Sequence, residues 1–139
     1  MEAFILDASV AISWCFPHDP TEATAYSGSV LDLLETAVAV VPEIWGYEIA
    51  NNMFVSFAIR KRISESQLKE YMELLGSLPI RMERTELNDI IGFHTLAIKH
   101  GLAAYDVAYL ELARRQRLPL ATTDGALGKA ALAEGIELI

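Results

Sequence analysis

The sequence predicts an α/β protein: a three-layer α/β/α sandwich around a mostly parallel central sheet of about five strands. Short apolar runs of strand length alternate with long stretches of helical periodicity. Two of the runs, Phe4-Ile5-Leu6 and Val38-Ala39-Val40-Val41, are apolar at every position, as strands covered on both faces are. No repeat, low-complexity tract or Gly/Ser/Pro linker divides the chain, so residues 1–139 read as a single domain.

Each element has a local reason. The first strand ends at Asp7, and a helix carrying Val10, Ile12, Trp14, Cys15 and Phe16 follows. The second strand is stopped by Pro42, which suits a first helical position; Glu43 behind it complements the dipole of a helix reaching about Arg62. Ser64 and Gln67 form a capping box for a helix to Leu75 that Gly76 can end. Ile80-Arg81-Met82 is a third strand, after which Thr85 can cap Glu86 to His100, closed by Gly101. Ala103 to Gln116 is helical before Pro119, and Leu120-Ala121-Thr122 is a fourth strand. Asp124 can cap a last helix through Ala133, with Gly135 following and Glu137-Leu138-Ile139 as a fifth strand.

Composition bounds the function. A chain of 139 residues, 53% hydrophobic and 22% charged, is neither a disordered tail nor a multi-domain protein, and its net charge of −8 excludes a histone-like basic binder. One cysteine, Cys15, allows no internal disulfide, and the N-terminal residues have no signal-peptide pattern. No apolar run approaches the ~18 residues of a membrane span, so the expectation is a cytoplasmic protein with no membrane partner. The charge is unevenly spread: residues 1–59 contain no Lys or Arg, and their eight acids account for the whole deficit.

Four acids stand out by position. Ligands of parallel sheets collect beyond the carboxyl ends of the strands, where Asp7 and Asp124 would both lie. Each is equally a good helix N-cap. Asp106 interrupts a helix start, Leu102 to Leu110, that is apolar on nearly every side; it is either a helix-dipole acid or a buried carboxylate that needs a cation or a hydrogen-bond network. Glu48, Asn52 and Ser56 make one polar row on an apolar helix, which is either its solvated face or the wall of a site. Cys15 reads as a small buried hydrophobe, and His18, His94 and His100 are too scattered for a zinc set.

In order, the segments Ile5-Leu6-Asp7-Ala8-Ser9, Pro42-Glu43-Ile44-Trp45-Gly46-Tyr47-Glu48-Ile49-Ala50-Asn51, Ala104-Tyr105-Asp106-Val107-Ala108-Tyr109-Leu110 and Leu120-Ala121-Thr122-Thr123-Asp124 resemble the signature of PIN-domain proteins. The likeness is to the toxin ribonucleases of VapBC-type toxin–antitoxin pairs, and it spans the whole chain. It implies a Mg²⁺- or Mn²⁺-dependent endoribonuclease whose catalytic, metal-holding acids are Asp7, Glu48, Asp106 and Asp124, with Ser9, Asn51 and Thr122 lining the same pocket by hydrogen bonding. Some members carry a further acid just after the last Asp, where Gly125, Ala126 and Leu127 stand here, so a tightly held second metal is not implied. The resemblance also implies a cognate VapB-like antitoxin and a homodimer.

Elementary electrostatics agrees with that ligand set. Two carboxylates ~5 Å apart repel by about 3 kcal/mol at an effective dielectric of ~20, so four ionised together need a cation, and an oxygen-only set favours a hard one. An RNA substrate would need cations as well, for which the candidates are Arg60-Lys61-Arg62 and Arg114-Arg115-Gln116-Arg117; both clusters also suit helix C-termini. Trp14, Phe16, Trp45 and Tyr47 can line an apolar antitoxin groove beside the acids, or belong to the core. Alternative functions are a non-catalytic PIN-like binding or scaffold module and a stand-alone nuclease without antitoxin. A receiver-type phosphoacceptor lacks its clustered acids after the first strand, and a haloacid-dehalogenase-like phosphatase lacks an acid at Ser9.

Overall fold

Four short strands form one parallel sheet in a computed structural model that describes residues 1–139. They are β1 (Ala3–Leu6), β2 (Val38–Pro42), β3 (Ile80–Glu83) and β4 (Leu120–Ala121), in the spatial order β3-β2-β1-β4. β1 pairs with β2 from Ala3 opposite Val38, and with β4 through Ile5 opposite Leu120 and Leu6 opposite Ala121. The expected fifth strand, Glu137-Leu138-Ile139, is reduced to one parallel bridge from Leu138 to Leu120. β4 is two residues long, so its outer edge offers only the N–H of Leu120 to Glu137 and its carbonyl to Ile139. Thr122 leaves the ladder instead of extending it.

The helices are α1 (Ala8–Ser13), α2 (Ala25–Leu33), α3 (Glu43–Phe54), α4 (Glu65–Ser77), α5 (Asp89–His100), α6 (Ala104–Gln116) and α7 (Gly125–Ala133). Right-handed crossovers place α1 to α4 on one face, because the chain steps from β1 to β2 to β3 in one direction, and α5 and α6 on the other, because it then steps back past β1 to β4. α6 lies against β1 and β2 and between α5 and α7. Its residues Val107 to Ala113 are all buried, as the all-round apolar pattern requires. On the opposite face the Tyr71 hydroxyl of α4 donates to the Ala11 carbonyl of α1 at 2.7 Å. Phe4, Ile5, Leu6, Val40, Leu110 and Leu120 fill the centre.

Several helix boundaries differ from the expectation, each for a local reason. α1 stops at Ser13, so Trp14, Cys15 and Phe16 follow it as a buried turn. Pro42 closes β2 and occupies the N-cap of α3, one residue before the first helical position. After Phe54 that helix widens into a π-helical turn, Val55–Ile59, and ends at Arg60, with Lys61 in a left-handed conformation. The capping box at Ser64 and Gln67 forms as expected, but α4 runs through Gly76. Its end is set by Leu78, which precedes Pro79 and is driven to extended backbone. α5 begins four residues beyond Thr85, because the Asp89 carboxylate accepts from the N–H of Glu86 at 2.8 Å and the Thr85 N–H goes to Glu43. α2 was not expected at all: Thr24 caps it by accepting from the N–H of Ser27, and only Ser27 and Val30 within it are buried.

Candidate active site

The strand order reverses at β1, whose neighbours β2 and β4 are reached by opposite crossovers, and the crevice beyond the carboxyl ends of β1 and β4 is where such a sheet binds ligands. Asp7 leaves β1 directly into this crevice, and its N–H is held by the Ala121 carbonyl at 3.0 Å. It stands at the N-cap position of α1 yet its side chain makes no cap bond. Instead Oδ2 accepts two hydroxyls, from Ser9 at 2.7 Å and Thr122 at 2.6 Å. The two hydroxyls are thus the chief partners of Asp7, with a smaller pull from the backbone of Ser9. Its buried carboxyl is pushed above the usual range, mainly by desolvation against the pull of the two hydroxyls, with the Asp124 charge adding.

Thr122 and Ser9 also hold the loop after β4. The Thr122 hydroxyl accepts from the N–H of Asp124 at 3.0 Å, and the Ser9 hydroxyl accepts from the N–H of Thr123 at 3.2 Å. Asp124 is exposed and caps α7, accepting from the N–H of Leu127 at 3.0 Å through Oδ1. Asp124 thus caps a helix, and its charge also acts on Asp7 and Asp106.

Glu48 enters from α3, with Asn52 half-buried and Ser56 buried on the same row, so the row faces inward and is not a solvated face. Tyr109 of α6 donates its hydroxyl to Glu48 Oε1 at 2.7 Å. Burial raises the Glu48 carboxyl, the Tyr109 hydrogen bond opposes this, and Asp7 and Asp106 raise it further. Asp106 lies in the first turn of α6, half-buried, and no hydrogen bond holds its carboxylate; desolvation raises it first, then the charges of Asp124 and Asp7. The helix dipole alone therefore does not account for it. Asp7, Glu48, Asp106 and Asp124 thus form one electrostatically coupled set, with no Lys or Arg among the causes that shift them.

Other predicted positions fare differently. Asn51 is exposed and bonds to none of the acids. Trp14, Phe16 and Trp45 belong to the core, and only Tyr47 is exposed, next to Glu48 in sequence. Of the two readings open for these four aromatics, groove or core, the core placement is the one seen for Trp14, Phe16 and Trp45. Trp14 donates to the Ser27 carbonyl at 2.9 Å, and Phe16 lies under the Arg62 guanidinium. Arg62 also pairs with Asp19 and Glu22, Arg115 with Glu111, and Arg114 with Glu134. Arg114, Arg115 and Arg117 stand at the opposite end of α6 from Asp106, ~15 Å along the axis, and Arg60, Lys61 and Arg62 lie as far beyond Glu48.

Two site residues escape sequence reasoning. Tyr109 looks like core, and its only signal is a hydroxyl three residues after Asp106 in a helix with no other reason to carry one. Tyr26 comes from the unexpected α2; its phenol is raised by burial and, less, by the charge of Asp7.

No family model matches the chain. A curated relative, Ribonuclease VapC3 from Pyrobaculum aerophilum, is 27% identical over 128 residues, which cover 90% of this chain and 92% of that one. Two solved structures share the fold of this chain. One is VapBC2 from Rickettsia felis bound to a DNA fragment from their promoter, with a TM-score of 0.66, 12% identity and coverage of 99% and 97%. The other is FitAcB from Neisseria gonorrhoeae, with a TM-score of 0.64, 18% identity and coverage of 98% and 96%. The three-layer α/β sandwich expected from the sequence is the fold these structures share, with four strands in place of five.

The donor chemistry of the site fits a hard divalent cation. All four acids offer oxygen alone, and each repels its neighbours. Nowhere do three or more His, Cys, Asp or Glu side chains converge as a ready-made metal cage. Mg²⁺ commonly takes one or two protein carboxylates and keeps several waters, so it needs no such cage.

Proposed function

We propose that the chain is a Mg²⁺- or Mn²⁺-dependent endoribonuclease and the toxin of a toxin–antitoxin pair. The observation that carries this is the coupled set Asp7, Glu48, Asp106 and Asp124 in the switch-point crevice of a VapC-like chain. The ion would be held by these carboxylates, with Asp7 and Asp106 nearest the crevice floor by their position at the ends of β1 and the start of α6. When bound, it supplies a more acidic water and a counter-charge for a phosphodiester oxygen.

The protein's own groups prepare that chemistry. Ser9 and Thr122 direct both their hydroxyl protons to Oδ2 of Asp7, and the backbone of Ser9 adds its pull on the carboxylate. Asp106 has both oxygens unengaged, and a raised carboxyl of this kind is suited to accept a proton from an attacking water. Within the two basic clusters, which lie at the far helix ends, Arg60, Lys61 and Arg117 make no ion pair and would contact RNA flanking the cut. The antitoxin is supported by the VapBC2 and FitAcB structures whose fold the chain shares. Exposed Tyr47, next to Glu48, and exposed Tyr105, next to Asp106, are aromatics for it to cover.

The test is cleavage of total RNA by the purified chain. Cleavage should appear with Mg²⁺ or Mn²⁺, stop in EDTA, and be lost in Asp7→Asn and Asp106→Asn while circular dichroism stays unchanged. Full activity in EDTA overturns the metal mechanism. The pairing is tested by whether a short reading frame for a small DNA-binding protein adjoins this one and whether its product co-purifies with the chain; a chain with neither is a stand-alone nuclease.

A further inference from the structure

We infer that Tyr109 is a positioning residue of the acidic site: its hydroxyl fixes Glu48 through Oε1 and so presents Oε2 to the other acids. The inference rests on the metal-dependent reading above and deepens it. Tyr109 is fully buried in the middle of α6, between Ala108 and Leu110, and its ring has no freedom to follow a moving partner. Its hydroxyl reaches 2.7 Å across to α3, 61 residues earlier in the chain, and meets a half-buried carboxylate. Glu48 is the longest of the four acidic side chains and accepts no other hydrogen bond. Without Tyr109 its carboxylate would be free to rotate about several torsions, so a cation would have to order it on binding.

The choice of donor matters as much as its place. A Lys or Arg at the same distance would hold Glu48 equally well but would cancel its charge and compete with a divalent ion. A hydroxyl orients the carboxylate and leaves the full negative charge in place. Asp7 is treated the same way, by Ser9 and Thr122 on a single oxygen. Both of the more buried acids are thus held by uncharged donors, while α6 supplies Asp106 and Tyr109 three residues apart, on one face.

The experiment compares Tyr109→Phe, Glu48→Gln, the double variant and Tyr71→Phe in the full chain. Tyr71→Phe is the control, because it deletes another buried phenol hydroxyl, one that bonds to a backbone carbonyl away from the acids. Mn²⁺ affinity is read by electron paramagnetic resonance of the free ion, beside thermal melting and RNA cleavage. Tyr109→Phe should weaken Mn²⁺ binding about tenfold to a hundredfold, the usual effect of removing a group that orients a ligand, with Tyr71→Phe unchanged. The double variant should bind little worse than Glu48→Gln alone, since Tyr109 acts through Glu48. Wild-type Mn²⁺ affinity in Tyr109→Phe, or losses that simply add in the double variant, overturns the inference while leaving the metal reading intact. Failure of the wild-type chain to bind Mn²⁺ overturns both.

Discussion

Asp7 and Asp106 show how single residues divide between stability and function. Both carboxyls are raised by burial and by neighbouring charge, so in the metal-free protein their ionisation works against folding. For Asp106 the sign is definite. The folded form holds its proton more tightly than the unfolded chain, so its contribution is neutral at low pH and turns unfavourable as pH rises from its ordinary value of 3.8 through its raised one. Asp106→Asn should therefore melt higher than wild type at pH 7 without divalent ions, and the difference should vanish near pH 3. A variant that melts lower at pH 7 would show that Asp106 is a structural acid. At this scale the acids were legible in the sequence, because a carboxylate in an apolar helix start has few explanations. Tyr109 was not, since nothing in a linear pattern separates a core ring from one whose hydroxyl faces a glutamate 61 residues away.

At the scale of elements, α6 is the axis of the molecule: its first turn carries Asp106, its middle carries Tyr109, and its end carries the arginines. Arg117 ends it with φ +56°, a conformation that costs a side-chain-bearing residue about 1 kcal/mol relative to glycine. Arg117→Gly should thus raise stability by about 1 kcal/mol in urea unfolding. The same variant reads the substrate role: weaker binding of long RNA with unchanged cleavage of short RNA places Arg117 on the flanking strand, and equal affinity for both removes it from the interface. Most of the helices were legible because periodicity and caps agree. α2 was hidden by its own composition, since Tyr26-Ser27-Gly28-Ser29 shows no apolar stripe and its burial rests on a few side chains. The basic clusters were legible as residues but not as places, because the distance from a helix start to its end is the one quantity that pairs them with the acids or parts them.

For the whole molecule, the acids concentrate unfavourable charge in one crevice, and on the function proposed above a bound divalent ion would relieve it. Any ligand that binds only the folded state stabilises it by mass action, about 2.7 kcal/mol at a hundredfold excess over its dissociation constant. Mn²⁺ at such a level should raise the melting temperature of the wild type at pH 7 and leave Asp7→Asn/Asp106→Asn where it is; equal shifts in both proteins would place the ion elsewhere. The sandwich itself was readable from alternating strands and helices, and its fifth strand was overestimated because a short edge run cannot reveal how much ladder its neighbour offers.

The sheet order has a consequence for how the protein is made. β4 lies beside β1, and the Thr122 hydroxyl that clasps Asp7 is 115 residues removed from it. A growing chain carries Asp7 long before Thr122, so it cannot assemble the crevice until β4 has emerged and docked. Contacts this distant in sequence also form late in folding. On the function proposed here, a chain whose β4 has not yet docked would accordingly be inert, and cleavage would begin only once the β1–β4 pair has closed.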